Sequence, residues 1–219
     1  MSLVPRISTL ALGLLVAAAT LVPGGPGHAQ TVEGGIFAGG AFMTSDLSDE
    51  FIVDTGSRLE RASQSHDNGL ALGARVGLRW TALSLEGAIT VVPTKLVTRL
   101  ETSPNVSDDQ TILILGGNAL YSFTSGRFLE LFVTAGGGVK SYSADDPGGG
   151  FDSGIDAMVN FGGGAHLFVT PNMAIRVDLR DYVSSFDAFA NIPGSDQEAK
   201  TQHDILLTLG LSYRRAGGR

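Results

Sequence analysis

Apolar and polar side chains alternate with a period of two along most of this chain. In the stretch from Gly69 to Trp80, one face carries leucine, alanine, valine and tryptophan, and the other carries glycine, one alanine and two arginines. Such alternation places successive side chains on opposite faces of a β-strand. Strands of soluble proteins are about 5–6 residues long, whereas a tilted strand of about 9–11 residues crosses a bilayer. The pattern therefore predicts long strands that span a membrane.

The same period recurs in eight segments, an even number, as in bacterial membrane barrels. The predicted strands cover residues 32–44, 67–80, 83–97, 110–123, 127–141, 154–169, 173–185 and 202–213. Short connections at 81–82, 124–126 and 170–172 alternate with long ones at 45–66, 98–109, 142–153 and 186–201. Short periplasmic turns and long external loops are typical of outer-membrane barrels. We therefore predict an all-β fold, an eight-stranded antiparallel up-and-down transmembrane β-barrel whose first strand starts at the periplasm.

The polarity of the two faces separates a membrane barrel from a soluble one. A lipocalin-like barrel also alternates, but it turns its apolar face inward. Here the apolar face is almost free of charge, and the polar face mixes glycine with isolated charges, which suits the narrow interior of an eight-stranded barrel. Aromatic residues near the strand ends suit the aromatic girdles found at membrane interfaces. They are Trp80, Tyr121, Phe123, Phe128 and Tyr213.

The first 29 residues have the tripartite pattern of a secretory signal peptide. Arg6 precedes an apolar stretch at 10–19, helix breakers follow at 23–26, and the small residues Gly27 and Ala29 suit signal peptidase. The alternative is a membrane anchor, but the apolar stretch is short for a span. We predict cleavage after Ala29, a barrel domain over residues 30–219, and an outer-membrane location after export through the periplasm.

Composition excludes several classes of protein. The chain has no cysteine, which excludes a lipoprotein anchor, a disulfide scaffold and a thiolate metal site. Its net charge of −7 argues against nucleic acid as a partner. After the N-terminal segment no apolar run is long enough for a transmembrane helix. We expect no cofactor.

The segments at 173–182 and 205–213 resemble the penultimate and last strands of small outer-membrane barrels of OmpA, OmpX and OmpW type. The resemblance covers essentially the whole mature chain. It implies a Gram-negative outer membrane, contact with outer-membrane lipid and lipopolysaccharide, insertion by the barrel assembly machinery, and a monomer. The chain differs from this pattern because residues 214–219 follow the final aromatic Tyr213. We also expect no periplasmic peptidoglycan-binding domain of the kind that some relatives carry.

Alternation also predicts which charged side chains face the lumen. Those positions are Glu33, Arg75, Arg79, Glu86, Glu130, Lys140, Asp156, Arg176, Asp178, Arg180 and Asp204, together with His166. Buried charges are tolerated when they are paired, so we predict a network of salt bridges that closes the lumen. The candidate site for a structural or gating role consists of Glu33, Arg75, Arg79, Glu86, Glu130, Arg176, Asp178 and Arg180. The alternative is a narrow pore or carrier for small or apolar molecules.

Two features resemble catalytic motifs, and neither predicts an enzyme. Some eight-stranded barrels are lipid A deacylases with a lipid-facing His-x-Ser arrangement, whereas His166 precedes Leu167 and Phe168 and is predicted to face the lumen. Residues 54–57 read Asp-Thr-Gly-Ser, as in aspartic proteases, but that chemistry needs two such carboxylates and the chain has one copy. A lipid-modifying activity stays the weakest alternative.

The predicted external loops are acidic. Loop 45–66 carries five carboxylates, and loop 142–153 carries three around a glycine-rich turn. Such loops could bind Ca²⁺ or Mg²⁺, but the spacing matches no EF-hand, so we predict solvated, mobile loops. The resulting functional prediction is a structural or surface-interaction barrel with a closed lumen.

Overall fold

The computed structural model describes residues 31–44, 51–54, 59–101, 106–124, 126–144, 155–186 and 200–216. The predicted signal peptide lies outside this part of the chain. All regular structure in the described residues is β, as predicted, and they contain no helix long and apolar enough to cross a membrane. The strands are β1 (Thr31–Met43), β2 (Phe51–Asp54), β3 (Leu59–His66), β4 (Gly69–Arg79), β5 (Leu83–Leu100), β6 (Val106–Ser122), β7 (Leu129–Ala144), β8 (Ile155–Phe168), β9 (Met173–Phe186) and β10 (Lys200–Ala216).

Eight of these strands close into an antiparallel ring in the order β1, β4, β5, β6, β7, β8, β9, β10, with β10 pairing back onto β1. If the register is followed once around the ring from Glu33, it returns to β1 at Met43, ten residues further along. With ordinary strand spacings, this stagger tilts the strands by about 40°. The prediction of an eight-stranded up-and-down barrel is confirmed.

The lipid-facing and lumen-facing positions follow the predicted alternation. On β10, Leu207, Leu209 and Leu211 are exposed, whereas Leu206 and Thr208, on the alternate positions, are buried. Exposed aromatic rings cluster at the end of the barrel where β1 begins. They are Tyr121, Phe123, Phe128 and Tyr213, with Trp80 half-buried at the same end. An apolar exterior bordered by aromatic rings is the arrangement that a bilayer requires.

The prediction of a mobile loop at 45–66 was wrong in part, because this segment contains β2 and β3. These two strands form an antiparallel hairpin, and β3 pairs with β5 over Ala62–His66 and Leu96–Leu100. Strand β3 precedes β4 in the chain. Both strands pair with β5, and a break at Asp67 and Asn68 separates them. Polar residues such as Ser63 and Ser65 occupy β3 because a strand beyond the bilayer needs no apolar outer face. Alternation of hydrophobicity therefore gave no signal there.

Strands β5 and β6 are also longer than predicted. Their antiparallel register runs from Leu83 opposite Tyr121 to Thr98 opposite Val106. On the outer face, Lys95 forms an exposed ion pair with Asp109, with Nζ 3.8 Å from Oδ1. A charged pair on this face marks where the apolar exterior ends. Beyond it, β3, β5 and β6 continue as a sheet outside the membrane-spanning part. Residues 145–154 and 187–199 of the other two long connections lie outside the described chain.

Candidate functional site

A cluster of charged side chains fills the half of the lumen where β1 begins. At its centre Arg176, only 1% exposed, donates to Oε2 of Glu86 at 2.5 Å and to Oδ2 of Asp178 at 2.8 Å. Arg180 donates to Oε1 of Glu86 at 2.8 Å and to Oδ1 of Asp178 at 3.0 Å. Arg75 donates to Oδ2 of Asp178 at 2.6 Å. Three guanidinium groups thus share two carboxylates.

A second layer lies closer to the mouth of the barrel at which β1 begins. Arg79 donates to Glu130 at 2.6 Å, and Arg214 donates to Glu33 at 2.6 Å and to Glu130 at 2.9 Å. His166 lies between the two carboxylates, with Nε2 2.9 Å from Glu33 and Nδ1 3.3 Å from Glu130. Arg176 lies 3.7 Å from Glu33 and joins this layer to the first one. We call the two layers together the inner network.

Aromatic rings complete the packing of the inner network. The guanidinium carbon of Arg75 lies 4.2 Å from the ring centre of Phe37, and that of Arg176 lies 4.6 Å from the ring centre of Phe132. Close approach of a guanidinium to a ring face is favourable. The rings reach these positions because glycines face the lumen on neighbouring strands. A Cβ on Gly73, for example, would lie 2.3 Å from the ring of Phe37.

The structure brings all eight predicted site residues together in the inner network. The inner network also includes Arg214. The sequence analysis missed this residue because the last predicted strand ends at Tyr213, whereas β10 continues to Ala216. The signal was present, since Arg214 continues the lumen-facing parity of Thr208 and Ser212. His166 is 2% exposed and faces the lumen, away from lipid.

Lys140 and Asp204, also predicted to face the lumen, lie in a separate cluster near the outer mouth. They form a fully buried ion pair, and Nζ of Lys140 lies 3.2 Å from Oγ of Ser184. His66 contacts Oε1 of Gln110 at 2.6 Å on the same level. Asp156 is opposite Lys140 on the neighbouring strand. We call this group, with Tyr142 and Gln202, the outer cap.

An apolar layer lies between the inner network and the outer cap and also includes Tyr142 of the outer cap. Its buried side chains come from strands all around the ring. They are Ala41, Ala71, Val92, Ile112, Ile114, Met158 and Leu206. Ile112 and Ile114 interrupt the polar face of β6 in the sequence, and this layer is the reason. The lumen thus has an ionic inner half, an apolar middle and a polar outer end.

The inner network leaves very little free space. One cavity of about 10 Å³ lies beside Arg75, Glu86 and Asp178, and another of about 20 Å³ lies beside Glu33 and His166. A cavity of this size holds about one water molecule. Within the described residues, neither cavity provides a channel wide enough for a hydrated ion.

The other two candidate motifs lie largely outside the residues that the structure describes. Asp54 is the last residue of β2, and residues 55–57 of the protease-like string lie outside the described chain. In the residues that the structure covers, no group of three or more His, Cys, Asp or Glu side chains could hold a metal ion. The glycine-rich part of the loop at 142–153 also falls outside them.

A closed barrel with an apolar exterior and a filled, charged interior defines the class of small membrane-spanning β-barrels. The chain belongs to the outer membrane protein beta-barrel domain family, whose model matches residues 8–214.

Solved structures show the same fold. OprG from Pseudomonas aeruginosa superimposes with a TM-score of 0.60 at 13% identity, covering 87% of this chain and 97% of its own. Neisserial surface protein A gives 0.51 at 15% identity, covering 84% and 96%. The outer membrane protein AlkL gives 0.50 at 15% identity, covering 90% and 95%. No curated protein matches the sequence.

Proposed function

We propose that this protein is a closed outer-membrane barrel with a structural and surface-interaction role. In this proposal residues 1–29 direct export, the barrel assembly machinery inserts the mature chain as a monomer, and its apolar exterior contacts lipid and lipopolysaccharide. The observation that carries the proposal is the inner network, in which Arg176, Glu86 and Asp178 are each at most 7% exposed.

The closed lumen follows from the energetics of buried ion pairs. A path for a hydrated ion would require several guanidinium–carboxylate contacts to separate inside the barrel. Leaving one member of a buried pair without its partner costs about 3–5 kcal/mol. Each carboxylate here contacts two or more cationic groups, as Glu130 does with Arg79 and Arg214. The network therefore resists opening at several contacts at once.

The sheet beyond the apolar exterior supports a role at the cell surface. Strands β3, β5 and β6 continue outward past Lys95, and β2 is the last strand of this sheet. A strand at the edge of a sheet presents backbone groups that can pair with another chain. In this proposal the extension offers a sheet edge outside the bilayer for contact with another chain, and that role needs no open lumen.

Conductance in planar bilayers tests the closed lumen. We expect the wild-type barrel to leave the baseline current unchanged after insertion. Resistance to SDS before heating verifies that the barrel used in this experiment is folded. Regular single-channel steps that vanish in the Glu86→Gln, Glu130→Gln, Arg176→Gln variant would overturn this proposal. They would establish the narrow pore instead.

We further propose that the barrel does not modify lipid. His166, the one histidine considered as a catalytic base, is held by Glu33 inside the lumen. Mass spectra of lipid A from cells with and without the protein should be identical. Loss of an acyl chain only in cells that contain it would refute this part of the proposal.

A further inference from the structure

Three neutral polar side chains on one wall of the lumen lack partners within the protein. They are Asn118 on β6, Thr134 on β7 and Asn160 on β8, which are 5%, 5% and 2% exposed. Oδ1 of Asn118, Oγ1 of Thr134, and both Oδ1 and Nδ2 of Asn160 are buried without a hydrogen bond to another protein atom. Buried polar groups in native proteins nearly always have a partner.

The three side chains are neighbours on adjacent strands, around Gly136. Gly136 of β7 is opposite Asn118 on one side and opposite Asn160 on the other. A Cβ on Gly136 would lie 2.3 Å from Oδ1 of Asn118, so this amide oxygen lies close to the glycine that separates the two asparagines. Thr134 is two residues along the same strand and therefore faces the lumen beside Gly136.

The donors and acceptors at this place identify the ligand class. Two amide oxygens accept hydrogen bonds, the Asn160 amide nitrogen donates, and the Thr134 hydroxyl can do either. Calcium and magnesium ions require oxygen ligands alone, and the amide nitrogen does not fit that set. A water molecule both donates and accepts, and typically makes about three hydrogen bonds inside a protein. We propose that this wall binds ordered water that bridges Asn118, Thr134 and Asn160.

This water site goes beyond the closed lumen of the proposed function, because it concerns the neutral wall and not the ion pairs. The bound water would form hydrogen bonds with the neutral polar groups beside the inner network, and it would add no charge. The competing arrangement is a direct contact, in which the Asn160 amide rotates and donates to Oδ1 of Asn118.

NMR of the ¹⁵N-labelled full-length barrel in phospholipid nanodiscs separates the two arrangements. We expect cross-peaks between water and the Asn160 side-chain amide, and between water and the Gly136 backbone amide. Absence of both cross-peaks, together with a coupling across an Asn160–Asn118 hydrogen bond, would overturn the proposal. Asn160→Ser keeps a hydrogen-bonding group and should retain the Gly136 cross-peak.

A substitution gives an independent readout. Asn160→Leu keeps the branched shape of the side chain, is larger because two methyl groups replace the amide oxygen and nitrogen, and has no hydrogen-bonding group. If water bridges the site, this variant should lower the temperature at which the barrel loses its SDS-resistant migration. If the polar atoms have no partner at all, the variant should raise that temperature, because removing an unsatisfied group is favourable. Val159→Leu is the matched control, since Val159 is the neighbouring residue, 59% exposed on the lipid face.

Discussion

Nη1 of Arg176 on β9 lies 2.5 Å from Oε2 of Glu86 on β5, and these two strands are opposite each other in the ring of eight. One ion pair therefore links opposite walls of the barrel. Two further residues of β9 join this pair, since Asp178 accepts a hydrogen bond from Arg176 and Arg180 donates one to Glu86. The inner network therefore connects opposite walls of the barrel, and it also fills the lumen.

Glu86→Gln should strongly destabilise the barrel, because it leaves Arg176 and Arg180 short of one negative charge. Loss of one partner of a buried ion pair costs about 3–5 kcal/mol. Urea unfolding in lipid vesicles, followed by the fluorescence of Trp80, the single tryptophan, measures the change. Lys95→Ala is the control, since its pair with Asp109 is solvent-exposed and worth less than about 1 kcal/mol. Equal losses for the two variants would contradict the assigned role.

Arg214 and Arg215 should differ sharply although they are neighbours. Arg214 binds Glu33 on the first strand and Glu130 on β7, and it packs on the ring of Phe168. Arg215 is exposed. We expect Arg214→Ala to lower the free energy of unfolding by about 1.5–3 kcal/mol, the value of hydrogen bonds to charged groups. Arg215→Ala should change it by less than about 0.5 kcal/mol. The same unfolding assay measures both, and indistinguishable variants would refute the role of Arg214.

Two glycines on opposite faces of the wall provide a matched test of lumen packing. A Cβ on Gly73 would lie 2.3 Å from both the carbonyl oxygen of Ile89 and the ring of Phe37. A Cβ on Gly117 would meet nothing within 4 Å. Gly73→Ala should cost about 1–3 kcal/mol through overpacking, whereas Gly117→Ala should change stability by less than about 1 kcal/mol. The thermal loss of SDS-resistant migration ranks the two variants. A tolerated Gly73→Ala would contradict the tight packing, because both the ring of Phe37 and the backbone at Ile89 would have to shift.

The barrel and the lumen-facing residues could be predicted from the sequence because a strand in a closed sheet has only two faces. Alternation alone therefore placed Glu86 and Arg176 inside. The eight residues of the candidate site also lie in the inner network, and Lys140 and Asp204 of the outer cap were not among them. Which charges contact each other could not be predicted, since those contacts depend on the stagger between strands. Strand β3 was missed for a different reason. A strand outside the membrane has no apolar face, so its sequence has no hydrophobic period.

Leu209→Arg tests the membrane-facing exterior directly. Leu209 is 58% exposed on the middle of β10, and its neighbour Thr208 faces the lumen. An arginine on the lipid face near the bilayer centre costs about 2–4 kcal/mol. Ser143→Arg is the control, since Ser143 is exposed near the outer end of β7 and should cost less than about 1 kcal/mol there. The two variants are compared by unfolding in lipid vesicles. If Leu209→Arg were as stable as the wild type, the exterior would not face hydrocarbon.

Cysteine labelling tests the orientation of the barrel, and the natural chain has no cysteine to interfere. Lys95 is exposed near the outer end of β5, and Arg127 is exposed in the short turn between β6 and β7. A membrane-impermeant maleimide should label Lys95→Cys on intact cells. It should label Arg127→Cys only after the outer membrane is permeabilised, because that turn faces the periplasm. The cysteine-free wild type gives the background. Labelling of Arg127→Cys alone on intact cells would reverse the orientation and place the short turns outside.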